Sequence, residues 1–189
     1  MKTQGLVAVG ELVYHRSAVT EVYDSVRMDD VKKLKEGKVS KYLEEFVVGE
    51  KHVTPGRTIT ETDVVMFAGM TGDYARVHTN ENEMKKSQFG TRIAHGLLGL
   101  AIAHGLFFRL GLIETSAIAF AQIEEWKFLA PIFFGNTIHC VIEIVDIVPS
   151  KSKPDRGIVK FKFEVINEDT GQVAQTGVKS IMMMRKTAI

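Results

Sequence analysis

Hydrophobic positions along the chain change their period near the middle. From Gly96 to Leu110 apolar residues fall on nearly every helical face: Leu97, Leu98, Leu100, Ile102, Leu106, Phe107 and Phe108. A helix apolar all round is a helix enclosed by protein, so a long buried helix is expected here, ended by Gly111. A membrane span is a poor alternative, because Ile93 to Ile113 also carries His95, His104, Arg109 and four glycines. Upstream, "TPGRTITETDVVMFAGMTG" opens on a Pro55-Gly56 turn. Thr60 and Asp63 then have the spacing of a helix N-terminus. Val64, Phe67 and Ala68 share one helical face, and Gly69 and Gly72 supply the stop. "TNENEMKKSQFG" reads as a short exposed helix with Asn80 and Glu83 in capping positions and Gly90 as its break.

After Glu114 the period becomes two. "SAIAFAQIEEWKFLAP" and "GNTIHCVIEIVDIV" are rich in β-branched and aromatic residues. Val159, Phe161, Phe163 and Val165 alternate with Lys160, Lys162 and Glu164, the signature of a half-buried strand. "NEDTGQ" marks a hairpin turn. "SKSKPDRG", residues 150–157, reads as a solvated hairpin tip, and Met182–Met184 as strand core and edge. The second half is therefore three or four antiparallel strands, and the class is α+β: an antiparallel sheet wrapped around one long central helix. Residues 1–40 form an N-terminal extension of uncertain structure, with helical charge pairs such as Asp29 and Lys33. It is either an element packed on a partner subunit or a loosely attached arm. Residues 41–189 form one domain.

Composition narrows the partners. The 24 basic and 23 acidic side chains nearly cancel, which gives no electrostatic case for nucleic acid. Cys140 is the single cysteine, so an intrachain disulfide is excluded and a reducing cytoplasm suits the chain. "MKTQGLVAVGELVYHR" lacks the long apolar core of a secretory signal. The expected setting is cytoplasmic, with no membrane partner.

Candidate chemistry sits in "TGDYARVH", which places Asp73 and His78 five positions apart behind Gly72. On spacing alone this is equally a turn followed by a polar loop residue. A carboxylate and an imidazole turned toward one point would, however, suit a bound water. His104, inside the apolar helix, is expected to be a satisfied core histidine. No His or Cys spacing here resembles a zinc site, and no metal or cofactor is expected.

Three separated pieces carry a resemblance: "FVVGEKHVTPGRTITETDVVMFAGMTGD", "VHTNENEMKKSQFGTRIAHGLL" and "KFLAPIFFGNTI". In order and spacing, from about Glu45 to Met184, the chain resembles the MaoC-like dehydratases, which include the (R)-specific enoyl-CoA hydratases of the hot-dog fold. The family motif reads Gly-Asp-any-Asn-Pro-aliphatic-His. Gly72, Asp73, Val77 and His78 match it, while Ala75 and Arg76 replace the Asn and the Pro. The resemblance implies an acyl-CoA thioester substrate, water addition to a trans-2-enoyl-CoA giving an (R)-3-hydroxyacyl-CoA or the reverse, and a homodimer or higher homo-oligomer. It makes Asp73 and His78 the catalytic pair and Gly96 the backbone oxyanion donor. His95 is then structural or substrate-lining, and Arg76 a possible CoA contact. The cations of residues 150–157 are a second place for CoA phosphates. Two other functions stay open: a hot-dog acyl-CoA thioesterase, and a catalytically impaired acyl-CoA-binding module, for which Ala75 and Arg76 are the support. An Arg76–Asp73 ion pair would favour the impaired module.

Overall fold

The computed structural model describes residues 40–186. The extension expected over 1–40, with its Asp29–Lys33 pair, lies outside the described residues apart from Ser40. That residue is buried, and its Oγ accepts a hydrogen bond from Thr115 N–H at 2.8 Å.

The described residues open on a 3-10 turn at Leu43–Glu45 and two short strands, β1 (Lys51–Val53) and β2 (Arg57–Thr58). The Pro55-Gly56 turn joins them, and both pair with the same later strand, Thr137–Pro149. Helix α1 (Glu61–Thr71) begins as its sequence dictates. Thr60 Oγ1 accepts from Asp63 N–H at 3.2 Å, and Asp63 Oδ2 accepts from Thr60 N–H at 2.9 Å. It ends at Gly72, whose φ of +78° is open to glycine at little cost. Gly69, expected to help stop the helix, instead lies inside it; the left-handed turn at Gly72 is sufficient. Two single-turn helices follow, α2 (Arg76–Thr79) and α3 (Glu81–Met84), the latter capped by Asn80 as expected.

Helix α4 spans Gly96–Phe108. Four long strands complete the chain: β3 (Ala117–Phe128), β4 (Thr137–Pro149), β5 (Arg156–Asn167) and β6 (Val173–Met184). All pairings are antiparallel, in the order β1-β4-β5-β6-β3, with β2 also on β4. The alternation in β5 is realised: Val159, Phe161, Phe163 and Val165 are buried and the residues between them half-buried. Residues 150–155 form the β4–β5 hairpin tip, the strand taking up Arg156 and Gly157 of the stretch read as the tip, and 168–172 form the β5–β6 turn.

The core lies between α4 and the inner face of this sheet. Leu98, Gly99, Ile102, Ala103, Leu106 and Phe107 are the buried residues of α4. Phe107 packs its ring on Phe161 at 4.8 Å and Phe163 at 5.5 Å. The expectation of a helix enclosed on every side holds for one side. Leu97 is 59 % exposed and Phe108 41 % exposed. One sheet can cover only one face of a helix, and no other described element covers the second. No helix among the described residues is long and apolar enough to cross a membrane.

Candidate active site

Three elements converge at the N-terminus of α4. Asp73 follows α1 directly, His78 lies in α2, and His95 is the N-cap of α4. The segments holding them are tied together through the main chain. Ile93 N–H donates to Val77 C=O at 3.1 Å, and Ala94 N–H to Ile132 C=O at 2.8 Å.

The hydrogen bonds settle which nitrogen carries the proton on each ring. His78 Nδ1 lies 2.7 Å from the Ile93 carbonyl. A carbonyl only accepts, so Nδ1 is the N–H and Nε2 is left as a lone pair. By the same logic His95 Nε2–H donates to the Asp73 carbonyl at 2.9 Å. His95 Nδ1 is then a buried lone pair with no partner among the described residues. The two rings stack at 3.8 Å between centroids. Burial chiefly holds the His78 pKa below 6.5; the positive charge His95 would carry adds to this, while the Ile93 bond and the Asp73 carboxylate oppose it. His78 is therefore neutral at pH 7, with its lone pair available.

Asp73, His78 and His95 bring one ligating atom each to within 4.8 Å of one another. A carboxylate oxygen and an imidazole lone pair no farther apart than that can be bridged by one water that donates an O–H to each. Two imidazoles and a carboxylate are also a donor set that fits a divalent cation. Residue spacing concealed this set because its members come from three separate elements.

The two departures from the family motif have structural replacements. Ala75 offers no side chain, but its backbone N–H donates to Asp73 Oδ1 at 3.2 Å. Asp73 N–H in turn donates to Thr71 Oγ1 at 3.2 Å, and His95 holds the Asp73 carbonyl. Arg76 occupies the first position of α2, where a proline is tolerated because its N–H would be unused. The Arg76 side chain is 77 % exposed and pairs with Glu83 at 3.2 Å. Among the described residues it makes no ion pair with Asp73.

A cavity of about 460 Å³ opens beside this cluster, lined by His78, His95 and Gly96 with Phe128, Leu129 and Gln175. No side chain caps the α4 N-terminus, so its first amides are not taken up by His95. Such a terminus favours developing negative charge. Gly96 and Gly99 also serve packing. A Cβ on Gly96 would lie 2.8 Å from the Phe128 ring, and one on Gly99 would collide with the Gln175 amide. Gln175, which sequence reading passed over, donates from Nε2 to Gly96 C=O at 3.0 Å and accepts from Trp126 Nε1–H at 3.1 Å. Its signal was a polar residue at an inward position of an alternating strand.

Two further expectations are resolved away from the cluster. His104 is not a satisfied core histidine. It is half-buried between the rings of Phe108 at 5.0 Å and Phe120 at 5.3 Å, and its Nδ1 has no partner among the described residues. The reason is its place at the margin of the apolar interior, where neighbouring rings offer no acceptor. Cys140 is buried, and burial pushes its thiol up to about 12, so it is no nucleophile.

Known proteins resemble this chain in sequence and fold. The chain is 38 % identical over 98 residues to Protein MaoC of Klebsiella aerogenes, covering 52 % of this chain but 29 % of that protein. It is 31 % identical over 110 residues to an (R)-specific enoyl-CoA hydratase of Rhodospirillum rubrum, covering 58 % of this chain and 74 % of that one. The solved structure described as a monoamine oxidase regulatory protein from Archaeoglobus fulgius superposes with a TM-score of 0.73 at 35 % identity, over 78 % of this chain and 96 % of that chain. The architecture is the hot-dog fold. The model of the MaoC-like domain matches residues 45–165. The chain belongs to the MaoC-like domain family.

Proposed function

We propose that the protein adds water to a trans-2-enoyl-CoA to give an (R)-3-hydroxyacyl-CoA, or runs the reverse dehydration. The observation that carries this reading is the gathering of Asp73 and His78, with ligating atoms within 4.8 Å of one another, beside the uncapped N-terminus of α4. A water seated there donates one O–H to His78 Nε2 and the other to the Asp73 carboxylate. Its oxygen lone pair is then directed at Cβ of a thioester in the cavity. As oxygen bonds to Cβ, the dyad takes the water's proton, and a proton from the same side is delivered to Cα. The charge that develops on the thioester oxygen is met by Gly96 N–H at the helix terminus.

The placement of Arg76 on Glu83 supports an active enzyme over an impaired module, because among the described residues no cation pairs with Asp73. It also leaves Arg76 free to exchange its partner for a CoA phosphate. The exposed face of α4 and the edge strand β3 support a homodimer. Leu97, Phe108, Phe120 and Ile123 are exposed apolar residues of these two elements, and among the described residues β3 has one edge unpaired. A buried thiol and the absence of disulfides suit a cytoplasmic setting.

The test is incubation with crotonyl-CoA. Loss of enoyl absorbance without free thiol, and an (R)-configured product on chiral analysis, is the expected result. Release of thiol would identify a thioesterase, and tight binding with neither change would identify a binding module.

A further inference from the structure

Both rings of the cluster are held as metal-ligating imidazoles are held. His78 donates its Nδ1–H to the Ile93 carbonyl at 2.7 Å, and His95 its Nε2–H to the Asp73 carbonyl at 2.9 Å. An imidazole that binds a metal characteristically has its other nitrogen fixed in this way, because the acceptor settles tautomer and ring orientation before the ion arrives. The nitrogens left over are His78 Nε2 and His95 Nδ1. The second is the more telling. His95 is 2 % exposed, and its Nδ1 lone pair has no partner among the described residues. Water addition by Asp73 and His78 makes no use of that lone pair, and a buried acceptor without a partner costs about 1–3 kcal/mol.

A third ligand and an access route are also in place. Asp73 is exposed on the turn after α1, where the Ala75 N–H holds Oδ1 and, among the described residues, no cation pairs with the carboxylate. One ligating atom from each of Asp73, His78 and His95 lies within 4.8 Å of the other two. Ligand atoms around a tetrahedral zinc, with bonds of about 2.0–2.1 Å, stand about 3.3 Å apart. Closing a triangle with sides of 4.8 Å to that size moves each atom inward by about 0.9 Å at most. In-plane lone pairs of two imidazoles converge on one ion only when the ring planes are inclined, and these planes are already inclined by 33°. Further rotation of the half-buried His78 ring out of its stack on His95 completes the convergence. His78 and His95 both line the cavity, whose rim residues Leu97, Phe128 and Leu129 are exposed. An ion therefore has a path from solvent, and its fourth position is left to water.

We infer that Asp73, His78 and His95 bind one Zn2+ ion, and that this ion reversibly switches the site off. Two imidazoles with one carboxylate favour zinc over magnesium, which takes oxygen ligands and sheds its waters reluctantly. The bound ion occupies the His78 Nε2 lone pair and the Asp73 carboxylate together. These are the two acceptors that hold the attacking water, so the pair can no longer take its proton. The metal site stands on the geometry alone; the inhibition rests on the hydratase reading.

The experiment titrates the full chain, freed of metal by dialysis against a chelator, with Zn2+ and separately with Mg2+ by calorimetry. Co2+ serves as a visible probe, since its d–d bands report nitrogen and oxygen ligands in a tetrahedral site. The expected result is one Zn2+ per chain and no Mg2+. Affinity should fall by at least about tenfold in each of Asp73→Asn, His78→Gln and His95→Gln, and stay at the wild-type value in His104→Gln. Asp73→Asn lies on an exposed turn and carries the test if His95→Gln fails to fold, which a thermal melt reports. Crotonyl-CoA hydration should decline in step with Zn2+ occupancy and return on adding EDTA. Absence of Zn2+ binding, or binding indifferent to the three cluster variants, would overturn the metal site. Turnover unchanged or raised at full occupancy would overturn the inhibition and leave the hydratase reading standing. Cluster-dependent Zn2+ binding in a protein that hydrates no enoyl-CoA keeps the metal site and removes the hydratase reading, because calorimetry and the Co2+ bands need no turnover.

Discussion

Replacing Gly99 by alanine isolates the packing that closes the cavity. In an exposed helix interior this substitution stabilises by about 1 kcal/mol, because alanine has less backbone freedom to lose. At Gly99 the new methyl would collide with Gln175 Nε2 and stand 3.1 Å from Ile132 Cδ1. Overpacking of this kind costs about 1–3 kcal/mol. Displacing the Gln175 amide also weakens its bonds to Gly96 C=O and Trp126 Nε1–H, each worth about 1 kcal/mol net. The balance is a destabilisation of about 1–3 kcal/mol, or a fall in Tm of roughly 3–10 °C for a domain of this size. Gly69 provides the contrast. It is an exposed residue within α1, and a Cβ there would meet only the Tyr74 hydroxyl, at 3.7 Å. Gly69→Ala should therefore stabilise by up to about 1 kcal/mol. Urea and thermal unfolding followed by circular dichroism give both values. The decisive arm is the double variant. In a Gln175→Ala background the obstructing amide is gone, and Gly99→Ala should lose most of its cost. A Gly99→Ala protein as stable as the wild type, or a cost undiminished in the Gln175→Ala background, would refute the packing argument.

Asp73→Asn and His78→Gln should each lower turnover of crotonyl-CoA by at least about a hundredfold, with melting temperatures close to wild type; near-normal turnover in either removes the dyad. His78 and His104 both have folded pKa values held below 6.5 by burial. Below pH 6.5 the unfolded chain therefore binds more protons than the folded one, and stability falls as pH drops from about 6.5 toward the folded pKa values. Melting scans between pH 7.5 and 5 should show this fall, reduced in His104→Gln. Arg76→Ala should raise KM for the CoA substrate more than it changes kcat, and cost under about 1 kcal/mol of stability because its pair with Glu83 is exposed; an unchanged KM would exclude a CoA contact. Light scattering should report a dimer for the wild type, and Phe108→Glu should shift it toward monomer by placing a charge on the uncovered face of α4; an unshifted mass would move the interface elsewhere.

Local signals in the chain were sufficient wherever a few neighbouring residues decide the outcome. The α1 start at Thr60, its end at Gly72, the cap at Asn80 and the alternation in β5 depend on hydrogen bonds and side-chain phase within a few residues. The Asp73–His78 pair was also legible, because both residues fall in one continuous motif with Gly72 before them. Its two departures were visible as well, but not their compensation, since the backbone N–H of Ala75 has no signature in a one-dimensional pattern.

Tertiary structure alone decided what depends on partners distant in sequence. The tautomer of His78 is set by a carbonyl fifteen residues away, and the seat of His95 by the Asp73 carbonyl on another element. The sequence marked α4 as apolar on every face, yet only the position of the sheet determines that Leu98 and Phe107 are buried while Leu97 and Phe108 are left open. Gln175 and Lys179 stand at inward positions of a strand whose phase the sequence displays. Their meaning came from the groups the fold sets against them: a helix carbonyl and an indole for the first, two aromatic rings and no acceptor among the described residues for the second. Periodicity reports which side of an element faces inward. What stands opposite depends on long-range packing, and there the physical cost of an unpaired charge first becomes apparent.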